Sequence, residues 1–209
     1  MSTVATAQIS VRPEADMEAT EQALRQQLDN TPGLADWHCG RNLEGCWGAG
    51  EFTVDMIWRE SVPAVAPGFT ELPGIAGADV AHYEPVACGL REAGLRRGIW
   101  RTLMLTLREG TAAAEVAAFE QELLGMPGYM GGIRNWRLGR VVSPGSRWTH
   151  VWQQEYTAID DLMGEYLLHP YHWGWVDRRF DPEFPEVWVV ETHLCHAFCP
   201  LQSSIIGRS

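Results

Sequence analysis

A cluster of ionisable aromatic side chains lies within seven residues of the C-terminal half: Tyr166, His169, Tyr171 and His172. Imidazole exchanges protons near neutral pH, and a phenol can donate a hydrogen bond to a developing oxyanion. The types and spacing of these side chains therefore indicate general acid/base chemistry. Structural roles stay open, because a histidine at a helix end can act as a cap and a tyrosine can simply pack.

A second run, from His193 to Cys199, contains two histidines and two cysteines and raises the question of a metal site. Alternate side chains of a strand face opposite ways, so His193 and Cys195 face one side and His196 the other. Zinc needs three or four converging ligands. We therefore expect no metal, and a core strand that ends in a loose tail.

The composition excludes several classes of protein. All 16 basic residues are arginine, so the chain has no lysine for a Schiff base, for pyridoxal phosphate or for a P-loop. A net charge of −11 disfavours binding to nucleic acid. No apolar run is long enough to span a membrane, and the N-terminus has no secretory pattern. We expect a cytoplasmic protein without cofactor, with its five cysteines reduced.

The chain contains an internal repeat. A strand pattern, a helix pattern and a Pro-Gly stop occur in both halves, and Pro32-Gly33 and Pro127-Gly128 lie 95 residues apart. Each half then offers two further strands, as in the β-α-β-β-α-β order of ferredoxin-like units. The second helix is predicted over 159–175, whereas the prolines and glycines of 61–79 preclude a long helix there.

These patterns predict an α+β fold in which tandem ferredoxin-like units form a dimeric-type α+β barrel within one chain. One unit alone leaves a sheet face bare, and two facing units bury both faces. We place the N-terminal unit, with its degenerate second helix, at 1–95 and the C-terminal unit, with the candidate site, at 96–209. A homodimer of such tandem barrels is a further possibility.

The pattern Y-x-x-H-P-x-H at 166–172, with Trp148-Thr149-His150 before it, resembles the stress-responsive A/B barrel (Dabb) family over about residues 99–198. Within that family it is similar to polyketide cyclases of the type that makes olivetolic acid. The resemblance implies that Tyr166 and His172 form an acid/base pair and that His150 is a further pocket histidine.

The sequence departs from the cyclase pattern at Arg101, which stands where the cyclase has a histidine. A guanidinium there suits a carboxylate or phenolate ligand. We expect Arg101, Trp148 and His169 to contact the substrate. We also expect His150, Tyr166 and His172 to share one cavity with Arg101 at its wall.

Three hypotheses about function are consistent with these residues. The first is a cofactor-independent lyase, either a decarboxylase or an aldol-type cyclase, acting on an aromatic, phenolic or polyketide-like acid. The second is a small-molecule-binding or stress-associated barrel without turnover, since a fold of this kind hosts many functions. The third is a haem- or flavin-associated oxygenase.

Overall fold

Strand alternation and helical periodicity give eight strands and two α-helices in the computed structural model, which describes residues 4–59, 67–181, 183–184 and 194–208. The elements in chain order are β1 Val4–Val11, α1 Met17–Asp29, β2 Leu34–Arg41, β3 Phe52–Trp58, β4 Ile75–Leu90, β5 Arg96–Leu105, α2 Ala113–Tyr129, β6 Ile133–Val141, β7 His150–Tyr156 and β8 Cys195–Ser203.

The strands form one antiparallel sheet in the order β2-β3-β1-β4-β6-β7-β5-β8. The first four strands and the last four each have the order of a ferredoxin-like unit, and β4 pairs with β6 to join them. The two units thus associate within a single chain, as the repeat predicts. The α+β class and the ferredoxin-like fold are confirmed.

The two ends of the sheet meet and close the barrel. An added Cβ at Gly40 of β2 would lie 2.4 Å from the Cys199 Sγ of β8, so glycine permits this close approach. Beyond β2, Trp47 and His196 exchange backbone hydrogen bonds of 2.9 and 2.8 Å. The N-terminal half therefore covers the outer edge of β8.

Three apolar clusters hold the fold together. One fills the barrel interior around Trp100 and Val151, one packs α1 on its side of the sheet, and one packs α2 and the 159–180 segment on the other. Successive side chains of β5 point to opposite faces of the sheet. Trp100 accordingly lies in the interior cluster and Leu103 in the α2 cluster.

The two α-helices agree with the sequence prediction except at the end of α2. Asp16 caps α1, its side chain accepting hydrogen bonds from the N–H groups of Glu18 and Ala19. The expected stop of α2 at Pro127 is wrong, because the helix continues to Tyr129. The Arg91 guanidinium donates to the carbonyls of Pro127, Met130 and Ile133, which are acceptors at and beyond the end of the helix.

The expected loose tail after Cys199 is also wrong. Strand β8 runs on to Ser203, and a 3₁₀ turn follows at Ile206–Arg208. The buried carboxylate of Glu155 anchors this end by accepting hydrogen bonds from Asn135 Nδ2 and Ser204 Oγ, and from the N–H groups of Ile205 and Ile206. The C-terminal segment is therefore part of the barrel.

The barrel interior also holds a buried polar network. Gln153 Nε2 donates to Asp55 Oδ1 at 2.5 Å, and Gln153 Oε1 accepts from Tyr83 Oη at 2.6 Å and from Arg137. Asp55 Oδ2 and Arg137 Nη1 have no hydrogen-bond partner among the described residues. The pKa of Asp55 is raised from 3.8 to about 6, chiefly because burial disfavours its charge.

This raised pKa makes stability depend on pH. Between about pH 4 and pH 6 the folded protein keeps a proton at Asp55 that the unfolded chain has released, so the free energy of unfolding falls as pH rises. We expect Asp55→Asn to remove this pH dependence. At pH 8 the free energy of unfolding of the variant should exceed that of the wild type by up to about 3 kcal/mol. Near pH 4 the two proteins should have similar free energies of unfolding, as measured by urea denaturation. A variant that is less stable at pH 8 would contradict this account.

Candidate functional site

A cavity of about 230 Å³ lies between the sheet and the 159–180 segment of the C-terminal half, which we call the helical segment. Its apolar wall includes Leu103, Phe180 and Leu194. Its polar residues are Arg101 on β5, His196 on β8, and Tyr166, His172 and Asp177 on the helical segment. Apolar walls with a few convergent polar groups are typical of small-molecule sites.

Tyr166 and His172 lie at the ends of two π-helical stretches, Asp161–Tyr166 and His172–Val176. Such widened turns are rare and occur often at functional sites. Here they bring the two rings to a centroid distance of 4.5 Å across the intervening turn. The sequence predicted a helix over these residues, and the structure has helical turns there with a break at His169.

Arg101 is almost fully buried beneath this pair. Its Cζ lies 4.6 Å from the centre of the Tyr166 ring. Its Nε donates to His196 Nε2 at 3.0 Å, and its Nη1 donates to Gln154 Oε1. The structure therefore brings Arg101, Tyr166 and His172 together, as the sequence predicts.

His172 is held by an acidic neighbour. Its Nδ1 lies 3.3 Å from Asp177 Oδ2, within ion-pair distance but without a hydrogen bond. Its Nε2 has no hydrogen-bond partner in the part of the chain that the structure describes. Nε2 is therefore the ring nitrogen that is left for proton exchange with a ligand.

The surroundings also set the protonation of Tyr166 and His196. Burial raises the pKa of Tyr166, against the opposing effect of Arg101, so this side chain is a neutral phenol at neutral pH. Burial lowers the pKa of His196 well below its ordinary value, and the neighbouring charges of Arg101 and His172 lower it further. His196 is therefore neutral and accepts the Arg101 hydrogen bond.

The expectation that His150 shares this cavity is wrong. Its Nε2 lies 3.1 Å from Glu120 Oε1 of α2, and Arg140 binds the same carboxylate through both oxygens. These residues border a separate, wider groove. Because α2 presents a carboxylate at the start of β7, the imidazole pairs there, and burial lowers its pKa.

The other two predicted contact residues also lie outside the cavity. Trp148 is buried beside His150, and its Nε1 donates to Asp79 Oδ2 at 3.0 Å. His169 accepts from the Tyr171 N–H at 3.1 Å through Nδ1 and lies near the Tyr129 ring. Both therefore make structural contacts.

Sequence reasoning did not assign His196, Gln154 or Asp177. His196 was considered only in the run from His193 to Cys199, of which His193 lies outside the described residues. Cys195 faces the barrel interior and His196 the cavity, in agreement with strand alternation. Among the described residues, no three His, Cys, Asp or Glu side chains are placed to hold a metal ion. No helix in this part of the chain is long and apolar enough to cross a membrane.

The fold is similar to that of several solved structures. An anthrone oxidase-like protein superposes with a TM-score of 0.66 at 10% identity, over 97% of this chain and 92% of that one. A putative monooxygenase from Fusobacterium nucleatum subsp. nucleatum gives 0.61 at 11% identity, over 97% and 92%. A heme-degrading enzyme from Listeria monocytogenes gives 0.51 at 9% identity, over 95% and 99%. At such low identity the likeness shows the fold alone.

In sequence, no curated protein matches the chain. Residues 99–194 match the family model described as Stress responsive A/B Barrel Domain. This range includes β5, α2, β6, β7 and the helical segment that carries Tyr166 and His172. Over this range the C-terminal half is similar to stress-responsive A/B barrel domains.

Proposed function

We propose that the cavity of the C-terminal half binds a small organic acid and transforms it as a lyase by general acid/base catalysis, without a cofactor. The observation that carries the proposal is the convergence of Arg101, Tyr166 and His172 on one cavity. Decarboxylation of a phenolic acid and aldol-type cyclisation both need a proton carrier and a stabilised oxyanion.

Each group has a distinct part in the proposed reaction. The buried Arg101 guanidinium holds the anionic end of the ligand. The neutral Tyr166 hydroxyl donates a hydrogen bond to the oxygen that becomes negative. His172 supplies or removes the proton through Nε2, while Asp177, 3.3 Å from its Nδ1, orients the ring.

The size of the cavity favours a small ligand. About 230 Å³ is less than the ~300–1,000 Å³ that is typical of sites for drug-sized molecules. A single aromatic ring with one acidic group suits this space better than a haem or a flavin. Arg101 also occupies the imidazole Nε2 of His196. Both observations favour a cofactor-independent reaction of a small acid over haem or flavin chemistry in this cavity.

A barrel that binds a ligand without turnover is the second candidate. It is favoured by the full burial of Tyr166, which restricts the movement of its hydroxyl. Such a protein needs only the apolar wall and Arg101, whereas a catalyst also needs His172 in two protonation states.

The test is a product assay on the purified full-length chain with phenolic acids and β-polyketide mimics, with ligand affinity measured by calorimetry. We expect a decarboxylated or cyclised product without any added cofactor. Binding without product would support the second candidate. A haem or flavin band in the absorption spectrum would contradict the cofactor-independent reaction.

A further inference from the structure

The partners of Arg101 are unusual for a buried guanidinium. Only 2% of Arg101 is exposed, yet its hydrogen bonds go to the neutral acceptors His196 and Gln154. Within the described ranges no carboxylate lies at ion-pair distance from it. Asp177, which also lines the cavity, is placed against His172. Buried charges are normally paired, so this arrangement leaves a positive charge without a counter-charge.

Gln154, which accepts one of these hydrogen bonds, has an unpaired donor of its own. It lies directly opposite Arg101 in the β5–β7 pairing and is fully buried. Its Oε1 must face the guanidinium, because two donors would repel each other. Its Nε2 then has no hydrogen-bond partner among the described residues. A buried amide donor without a partner costs about 1–3 kcal/mol.

Glutamate at position 154 would remove both the unpaired amide donor and the uncompensated charge of Arg101. It has the same shape as glutamine, carries no orphaned donor, and would complete a buried ion pair with Arg101. The chain instead has an amide at 154 and a neutral imidazole at 196. Both choices leave the charge of Arg101 available to something that enters the cavity.

We propose that Gln154 and His196 are specificity-determining residues, whose neutral acceptor atoms orient Arg101 while keeping its charge uncompensated, so that the cavity selects a monoanionic ligand over its neutral isostere. This inference rests on the proposed function, in which Arg101 binds an acid. It adds the reason why an anion is selected and names the two residues that select it.

The test compares Gln154→Glu, which adds a counter-charge beside Arg101, with His196→Gln, which keeps a neutral acceptor there. The probes are benzoate and benzamide, which have similar shapes and differ in charge. Affinity is measured by calorimetry at pH 7 and the melting temperature by scanning calorimetry. We expect the wild type to prefer benzoate, and Gln154→Glu to lower benzoate affinity at least ~10-fold without changing that for benzamide.

Gln154→Glu should also raise the melting temperature, because a counter-charge then faces the buried guanidinium. His196→Gln should keep the preference for benzoate. An unchanged benzoate affinity in Gln154→Glu, or a melting temperature that does not rise, overturns the inference while the proposed function stands. A wild type that binds neither probe overturns the inference together with the acid ligand on which it rests.

Discussion

His172→Ala is expected to lower turnover by about 10²- to 10⁴-fold while affinity for an aromatic acid stays nearly unchanged. The imidazole transfers the proton in the transition state, whereas Arg101 anchors the bound acid in ground and transition states alike. Tyr166→Phe should cost less, because a phenol at a cavity wall gives less than the ~2.7–4 kcal/mol of a strong oxyanion donor. Single-turnover rates and calorimetric affinities of the purified variants give both quantities.

The matched control for His172 is His150→Gln. Both histidines are buried in the C-terminal half, but His150 is paired with Glu120 in the separate groove. A glutamine can keep a hydrogen bond to Glu120, so turnover should stay at the wild-type level. Unchanged turnover in His172→Ala, or an equal loss in both variants, would remove the acid/base role of His172.

The second large effect is expected at Glu155. Glu155→Ala removes the acceptor of four buried hydrogen bonds, two of which measure 2.6 Å, although Asn135 Nδ2 keeps the Glu92 carbonyl as a second acceptor. At about 1–3 kcal/mol for each unpaired donor, the loss is a large part of the ~5–15 kcal/mol that stabilises a typical domain. We expect a fall in melting temperature of more than ~10 °C, or loss of the folded protein.

A milder variant keeps this prediction measurable. Ser204→Ala removes the hydroxyl that donates to Glu155 and accepts from the Gly207 N–H, and should cost about 1–2 kcal/mol in urea unfolding. If Glu155→Ala were no less stable than Ser204→Ala, the carboxylate would not be the anchor of the C-terminal segment.

Much of the fold could be predicted because the sequence repeats. The matching strand and helix patterns in the two halves indicated two ferredoxin-like units, and a bare sheet face in each required them to associate. The pattern could not show that α2 continues beyond Pro127, since that depends on Arg91 reaching the carbonyls at its end. The division of the chain near residue 95 stays a prediction.

The site was predicted only where side-chain positions follow from local spacing. Tyr166 and His172 belong to one segment, and alternation fixes the face of His196. The position of His150 depends on how α2 packs on the sheet, and the partnership of Arg101 with Gln154 depends on the β5–β7 register. Neither the packing of a helix on a sheet nor the register of distant strands can be read from a single sequence.

Because β4 and β5 are joined in one chain, the two halves of the barrel can acquire different substitutions during evolution. When a barrel is assembled from two identical chains, every substitution appears twice, and a change that suits one cavity is imposed on the other. Here each half is encoded by its own stretch of sequence, so among the described residues Phe69–Glu71 forms a short 3₁₀ turn where the other half carries Tyr166 and His172 on π-helical turns. Joining the halves therefore lets one specialise in support while the other keeps the reactive side chains.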